Sequence, residues 1–421
     1  MKRSLASSLL VLAFLGSAQA QDRSWTLVNA RIEIGDGQVI EKGSIVVLDG
    51  KIKSVMEGTP AGITGTHVDC AGLTIYPGFI DGFSRNGLKS PEQGPAITGP
   101  NYRDSVPVEF WRGNRRGVFA STDASALIDS ETFGKDYFAN GVTTIHAASG
   151  RGQFGGWSAI FDLEKDGLIK KEAMQTMAFG GGGGFGGGGG GGTAQTGSNY
   201  PTSLMGRIAV MRQVLWDATS PGDDAELKAL NPAVTGKTHV AFSASTEREI
   251  FRALTLSEQT NLKPVIVGGR EAWKSADELK AKGIAVLLNL DAGTEPSADP
   301  NAQSDVPLEV RQERRETWLA DAAYAQRLAT SGVNFGFYAD RENDNFLELV
   351  RKHIGWGLHR TIALQALTSS TAKILGIYDE VGSITAGKRA NFVVMDGDFA
   401  VATTKVKWVM LRGTKVEVEG K

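Results

Sequence analysis

The chain has 421 residues, which exceeds one typical domain but fits a barrel-sized domain accompanied by a small one. Its 45 lysine and arginine residues nearly balance its 47 aspartate and glutamate residues, and no basic stripe or acidic tail is present, so neither nucleic acid nor an anionic membrane is expected as a partner. The single cysteine, Cys70, excludes an internal disulfide and a zinc-thiolate cluster.

The first twenty residues have the three-part pattern of a secretory signal peptide. Lys2 and Arg3 precede an apolar run at 9–15, and a small-x-small cleavage site follows at 18–20. This run is shorter than the roughly 20 residues that span a bilayer, and no later stretch reaches that length. We therefore expect export to the periplasm or the extracellular space, with cleavage near Ala20 and no transmembrane segment. A buried N-terminal helix is the alternative interpretation.

Short runs that alternate apolar and polar residues occur near both ends of the chain. Between Trp25 and Tyr76 they are separated by turn signals at 35–37 and 49–51, and the same style returns at 390–418. Chain termini often lie close together in space. Residues 21–76 and 380–421 are therefore expected to form one small β-sandwich domain.

The segment 77–379 alternates apolar runs with helical patterns, which predicts parallel βα units. The helical patterns cover Glu247–Asn261, Glu271–Lys282 and Leu308–Ser331. Eight apolar runs precede or separate these patterns: Thr74–Ile80, Val142–His146, Ser158–Leu163, Ala173–Phe179, Thr238–Phe242, Pro264–Val267, Ile284–Leu288 and Val333–Tyr338. Eight strands suggest an α/β fold of the (β/α)₈ barrel type, with an open sheet as the alternative. In such barrels the catalytic groups come from the carboxyl ends of the strands.

A glycine tract at 180–192 interrupts this pattern, with Phe185 as its one other residue. Such a tract cannot bury enough surface to offset the entropy lost on ordering, so we expect a mobile loop near the carboxyl ends of the strands. No Gly-Lys-Ser/Thr follows the tract, which argues against a phosphate-binding loop.

Two motifs resemble those of the amidohydrolase superfamily, the imidazolonepropionase-like and dihydroorotase-like metal-dependent hydrolases. The first is Tyr76-Pro77-Gly78-Phe79-Ile80-Asp81, and the second spans 363–376 and 381–394. Because the motifs bracket most of the chain in the expected order, the resemblance implies a (β/α)₈ barrel with a small β domain. It also implies hydrolysis of carbon-nitrogen bonds other than peptide bonds. Segments at 200–205 and 264–272 are similar to exported bacterial proteins classed in this superfamily.

The metal ligands that the resemblance implies are nearly all replaced. The family pattern places His-x-His after the first-strand aspartate, a lysine or glutamate after strand four, one histidine after each of strands five and six, and an aspartate after strand eight. The corresponding positions hold Phe83 and Arg85, no ligand after strand four, Phe242 or Ser243, Gly268, and Asp340. A catalytic zinc normally takes three protein ligands. We therefore predict no metal, and a divalent ion such as zinc only if the site is atypical.

Among the five histidines, His146 alone falls at the carboxyl end of a predicted barrel strand. Its two interpretations are a hydrogen-bonded structural residue, or a functional residue beside Asp340, Arg85 and Ser84 that acts as a general base or contacts a ligand. Ser243 lacks the Gly-x-Ser-x-Gly pattern and a nameable base, so it is not predicted to be a nucleophile.

Three functions remain open on the sequence. The first is a barrel that binds a small molecule or a peptide in the old active-site pocket without hydrolysis. The second is a metal-independent or single-metal enzyme with Asp340 and His146 as catalytic residues. The third is the ordinary two-metal hydrolase. The sequence does not indicate an oligomeric state.

Overall fold

The structure is a computed structural model that describes residues 23–85, 87–89, 118–129, 135–150, 152–180, 203–339 and 345–418. Three features predicted from the sequence lie outside these residues: the signal peptide, the glycine tract apart from Gly180, and Asp340. In the described part of the chain, no helix is both long and apolar enough to cross a membrane.

The described strands are numbered in chain order: β1 (Trp25–Glu33), β2 (Val39–Leu48), β3 (Lys51–Glu57), β4 (Thr66–Asp69), β5 (Thr74–Pro77), β6 (Phe79–Ser84), β7 (Val142–Ala147), β8 (Phe154–Trp157), β9 (Ala159–Asp162), β10 (Leu168–Lys170), β11 (Gln175–Ala178), β12 (His239–Ala244), β13 (Lys263–Gly268), β14 (Val286–Asn289), β15 (Phe335–Tyr338), β16 (Phe392–Met395), β17 (Val406–Leu411) and β18 (Thr414–Glu417).

The described α-helices are α1 (Lys135–Ala139), α2 (Leu204–Asp217), α3 (Ala225–Val234), α4 (Glu247–Gln259), α5 (Ala276–Ala281), α6 (Leu308–Ala322), α7 (Tyr324–Thr330), α8 (Phe346–Gly355), α9 (Arg360–Leu367) and α10 (Ser369–Leu375). Short 3₁₀ turns occupy Ala124–Leu127 and Ala272–Ser275.

Strands from both ends of the chain form one eight-stranded sheet. Its order is β18-β17-β16-β5-β1-β2-β3, with β4 paired to β1. The two ends join where β5 pairs antiparallel with β16, placing Pro77 opposite Phe392. The expected association of the chain ends is therefore present. Because the strands form a single sheet, the predicted two-layered sandwich is not confirmed.

The central strands lie in two further sheets of order β10-β9-β7-β6 and β15-β14-β13-β12-β11-β8. β11 to β15 are all parallel, as predicted. The run at Ser158–Leu163 was expected to be parallel as well, and this was wrong, because β9 pairs antiparallel with β7 and β8 pairs antiparallel with β11. Only residues 148–153 join β7 to β8, which is shorter than the dozen or more residues of a parallel crossover.

The first predicted run, Thr74–Ile80, divides at Gly78 into β5 and β6, which belong to different sheets. A Cβ atom at Gly78 would lie 2.0 Å from the Thr143 hydroxyl oxygen on β7. The glycine of the Tyr76–Asp81 motif therefore permits a close approach of two strands. The hydrogen bonding describes a mixed α/β fold and does not by itself show a closed barrel.

The helices pack outside these sheets. α4 begins with a capping box in which Thr246 and Glu249 satisfy each other's backbone N–H groups, and it buries the predicted apolar face. The predicted helix Leu308–Ser331 breaks at Ala323 into α6 and α7. After the break, Tyr324 is buried and its hydroxyl donates to the Asn289 carbonyl oxygen (2.6 Å).

Between the sheets, the inward side chains of the central strands form a buried apolar cluster that includes Ile80, Ala241, Val265, Val267 and Leu287. This cluster extends from one end of the central strands to the other. Phe83 and Tyr338 lie at the carboxyl ends, whereas Met174 precedes β11 and Leu375 ends α10. The central strands thus have a carboxyl end and an amino end separated by packed core.

Candidate functional site at the carboxyl ends of the strands

Four side chains meet where the central strands finish, and we refer to Phe83, His146, Ser158 and Tyr338 as the carboxyl-end cluster. Phe83 is 1% exposed. Its ring packs edge-on against His146, with ring centroids 5.5 Å apart, and against Tyr338, at 5.9 Å. An apolar ring therefore occupies the place where the resemblance implies an imidazole ligand.

Asp81, the aspartate of the first motif, is buried beneath this cluster. Its carboxylate accepts hydrogen bonds from the backbone N–H groups of Phe83 (3.3 Å) and Ala339 (3.2 Å). The second bond joins the end of β6 to the residue after β15. In this geometry the retained carboxylate connects two strand ends.

His146 lies at the end of β7, as the sequence predicted, and is fully buried. Its Nδ1 lies 2.7 Å from the Gly82 carbonyl oxygen, which can only accept, so Nδ1 carries a proton. In the neutral ring, Nε2 can only accept, and the Ser158 hydroxyl lies 2.7 Å away as its donor, with the Met174 carbonyl oxygen at 3.0 Å as the other acceptor near that hydroxyl. Burial lowers the pKa of His146 to about 4, so the imidazole is neutral near pH 7.

This geometry suits the structural interpretation of His146, because both ring nitrogens have partners inside the protein. Ser158 is held as well, since its hydroxyl oxygen accepts from the Met174 N–H (3.1 Å). The predicted catalytic role of His146 stays a prediction. Its proposed companions Ser84 and Arg85 lie at and just after the end of β6, buried and half-buried respectively.

Gly268 ends β13 and has a backbone φ of +112°, a conformation that L side chains rarely adopt. A Cβ atom there would lie 2.5 Å from the Ser245 hydroxyl oxygen and 3.1 Å from the Ala244 carbonyl oxygen. The local backbone is therefore built for glycine, and a histidine does not fit it without rearrangement.

Ser243 is half-buried near the end of β12, between Ala178 of β11 and Val267 of β13. Because side chains alternate along a strand, Ser243 lies on the same face as Ala241 of the inner cluster. No histidine or carboxylate is hydrogen-bonded to its hydroxyl in the described ranges. Ser243 and Gly268 thus lie on neighbouring strands, apart from the carboxyl-end cluster.

Three polar residues at this end were not singled out from the sequence: Ser158, Asn289 and Tyr338. The Asn289 amide nitrogen lies 3.3 Å from the Tyr338 hydroxyl, and its Oδ1 accepts from the Asp291 N–H (2.7 Å). Tyr338 ended its predicted run and Asn289 followed one directly. A search for the polar residue closest to each strand end would have found both.

The described residues do not fit the metal centre that the fold family implies. Within them, no group of three or more histidine, cysteine, aspartate or glutamate side chains could hold a metal ion. Phe83 fills one ligand position, and the backbone at Gly268 rejects a side chain at another. We derive no catalytic step through a metal ion.

Similarity to known proteins agrees with this fold. Residues 320–416 match the model of the amidohydrolase family. A comparison with curated protein sequences gives no match.

Solved structures resemble the chain over nearly its whole length. An amidohydrolase from Thermotoga maritima MSB8 superposes with a TM-score of 0.71 at 20% identity, covering 93% of this chain and 99% of that one. A Xaa-Pro dipeptidase with bound methionine gives 0.55 at 17% identity, covering 94% and 100%. A prolidase complexed with N-methylphosphonate-L-proline gives 0.54 at 18% identity, covering 94% and 99%. These similarities show the fold, and together with the match over residues 320–416 they support the resemblance to the amidohydrolase superfamily.

Proposed function

We propose that this chain is an exported amidohydrolase-superfamily protein that binds a small molecule or a peptide at the carboxyl ends of its central strands, without metal-dependent hydrolysis. The carboxyl-end cluster carries the proposal. Phe83 is packed between His146 and Tyr338. The carboxyl ends of β6 and β7 therefore present packed, uncharged rings where the resemblance implies metal ligands.

The proposal includes a closed (β/α)₈ barrel, and two seams support it. The segment 154–162 pairs with β11 through β8 and with β7 through β9, so it links the two central sheets. At the other seam, β6 approaches β15 closely, since a Cβ atom at Gly82 would lie 2.7 Å from the Phe337 carbonyl oxygen. The hydrogen bond from the Ala339 N–H to the Asp81 carboxylate crosses the same seam.

Peptide amides are the ligand class that we propose. The Ser243 and Tyr338 hydroxyl groups and the Asn289 side chain can exchange hydrogen bonds with amide and carboxylate groups. Two structurally similar proteins are a Xaa-Pro dipeptidase and a prolidase. Dipeptides that end in proline are therefore the first compounds to test.

Calorimetric titration of the purified chain with alanyl-proline tests this function, alongside chromatographic detection of free proline. We expect saturable binding and no proline release above that of heat-denatured protein. Ser243→Phe should abolish binding by filling the strand end, whereas Ser220→Phe, at an exposed site after α2, should leave it unchanged. Proline release that chelators abolish, with stoichiometric zinc, manganese or iron after purification in metal-replete medium, would overturn the proposal.

A metal-independent hydrolase is a second candidate because one observation favours it. The Ser158 hydroxyl lies 2.7 Å from His146 Nε2 while the Gly82 carbonyl orients the ring, which is the arrangement of a serine with its general base. A substrate would have to displace Phe83 to reach this pair. If any turnover is found, His146→Gln, Ser158→Ala and Asp340→Asn should each reduce it; unchanged turnover in all three eliminates this candidate.

A further inference from the structure

A cavity of about 670 Å³ opens at the amino ends of β11 to β15, opposite the carboxyl-end cluster. We call it the amino-end cavity. Its floor is apolar, because the buried side chains of Met174, Val265 and Leu375 line it. The last turns of α4 and α10 form part of its wall. Its volume is within the range of about 300–1,000 Å³ that is typical of small-molecule sites.

The lining of the amino-end cavity carries excess positive charge. Its four lysines are Lys170, Lys263, Lys282 and Lys373, and Glu258 is the only acidic side chain among the described residues that line it. Glu258 is already paired with Lys282. Lys263 and Lys373 have no ion pair within the described ranges, although the Lys373 ammonium group lies 4.9 Å from the centroid of the Tyr378 ring.

His239, the first residue of β12, lies close enough to two of these lysines for their charges to affect its pKa. Its pKa is lowered by burial and, beyond that, by repulsion from the ammonium groups of Lys263 and Lys170. Both lysines must therefore approach the imidazole closely enough to oppose its protonation. These two lysines and His239 line the same cavity, together with Lys282 and Lys373, so an anion bound there would lie among positive groups.

A buried hydroxyl also lacks a partner in this wall. Ser257 of α4 is 3% exposed, and its hydroxyl oxygen has no hydrogen bond within the described part of the chain. A buried polar group without a hydrogen-bond partner destabilises the folded protein. An anionic oxygen in the cavity would accept from this hydroxyl and remove that penalty.

Lysines also occur at helix C-termini because they favour the negative end of the helix dipole. This explanation accounts for Lys170, whose ammonium group donates to the Leu375 carbonyl oxygen at the end of α10 (3.3 Å). Lys373 lies in the last turn of α10, so the same explanation covers its position. The charge of Lys263, the cavity volume and the unpaired Ser257 hydroxyl are not explained in this way.

We infer that the amino-end cavity is a binding site for an organic anion that carries at least two negative charges, as phosphate or carboxylate groups, on a small apolar body. Lys263 and Lys373 contact the anionic groups, the Ser257 hydroxyl donates to one of their oxygens, and the apolar body packs on Met174, Val265 and Leu375. This site lies at the opposite end of the strands from the proposed peptide site and does not depend on it.

Calorimetric titration with phenyl phosphate at low ionic strength tests the site, with inorganic phosphate and benzyl alcohol as partial ligands. We expect phenyl phosphate to bind with one-to-one stoichiometry and more tightly than either partial ligand. Because exposed charges are screened within about 10 Å at 0.1 M salt, its affinity should fall as salt is added.

Matched variants locate the binding. The double variant Lys263→Ala/Lys373→Ala should weaken phenyl phosphate binding by at least about tenfold, since it removes both charged donors to the anion. Lys53→Ala/Lys228→Ala removes the same charge from exposed positions elsewhere and should leave the affinity unchanged. Ser257→Ala should weaken binding severalfold without lowering the thermal midpoint of the ligand-free protein.

Absence of saturable phenyl phosphate binding at low salt would overturn the inference, as would equal affinities of the wild type and the Lys263→Ala/Lys373→Ala variant. The peptide titration is a separate readout. Ser243→Phe should leave phenyl phosphate binding intact, and the two lysine substitutions should leave alanyl-proline binding intact.

Discussion

The two ends of the central strands differ in packing and in charge, although the same strands form both. At the carboxyl ends, Phe83 packs between Tyr338 and a neutral, hydrogen-bonded His146. At the amino ends, Lys263 and Lys373 border an open volume and have no acidic partner among the described residues. Barrel enzymes place their chemistry at the carboxyl ends and use the other end for stability. Among the described residues of this chain, packed side chains distinguish the carboxyl ends of the strands, and lysines distinguish the amino ends.

Phe83→Ala should have the largest effect on this contrast, because it removes the ring at the centre of the filled end. Truncation of a buried phenylalanine destabilises a protein by about 3–5 kcal/mol, which urea unfolding at pH 7 would measure. Phe251→Ala is the control, since Phe251 is 62% exposed on α4. Equal losses in both variants would contradict a packed carboxyl end.

Gly268→Ala should have the next largest effect on stability, because the new Cβ atom meets Ser245 and a side chain strains the backbone at this positive φ. Strain and overpacking together should lower the free energy of unfolding by about 2–4 kcal/mol. Gly62→Ala, where a Cβ atom would meet nothing within 4 Å, is the matched control. A Gly268→Ala protein as stable as the control would show that this position can accept a side chain.

His146 should make stability depend on pH. Its folded pKa is about 4, below the value of roughly 6.5 for an unfolded histidine, so the unfolded chain binds more protons between these values. The stabilisation is complete above pH 6.5 and is lost as the pH falls towards 4. Between pH 7 and pH 5 this loss is on the order of 2 kcal/mol.

Unfolding of the His146→Gln variant at pH 7 and pH 5 checks this dependence. The variant should lose less stability on acidification than the wild type does. His67→Gln, at an exposed position in β4, should behave as the wild type. If the stability of His146→Gln falls between pH 7 and pH 5 as much as that of the wild type, the pKa of His146 is not lowered in the folded protein.

The smallest effect is expected at the amino ends. Without ligand, Lys263→Ala/Lys373→Ala should change the free energy of unfolding by no more than about 0.5 kcal/mol per residue, as for other surface positions. A large loss would assign these lysines to stability and remove the contrast between the ends.

Much of the fold followed from local patterns. Short alternating runs predicted β1 and β2, although both strands bury consecutive residues. Apolar periodicity predicted α4, because this helix buries one face against its neighbours. The direction of β9 did not follow, since a strand's apolar pattern is the same whether it runs parallel or antiparallel. The direction could have been inferred from the 148–153 connection, which is too short for a parallel crossover.

The candidate site was harder to predict because its contacts are distant in the sequence. The pattern identified Phe83 and Gly268 as replacements, but only the fold shows that Phe83 packs on Tyr338 and that Gly268 has a positive φ. The amino-end cavity was missed for the same reason. Lys170 ends β10, Lys263 begins β13 and Lys373 lies in the last turn of α10, so their presence around one cavity depends on how these elements assemble.

The pairing of β5 with β16 bears on synthesis of the protein. Pro77 lies opposite Phe392, so an early strand receives its neighbour only after most of the chain has been made. Until then one edge of β5 offers unpaired backbone groups, which other chains can use to aggregate. A product truncated before residue 392 would keep that edge open permanently. This edge of β5 is therefore covered only in chains that have been translated at least through β16.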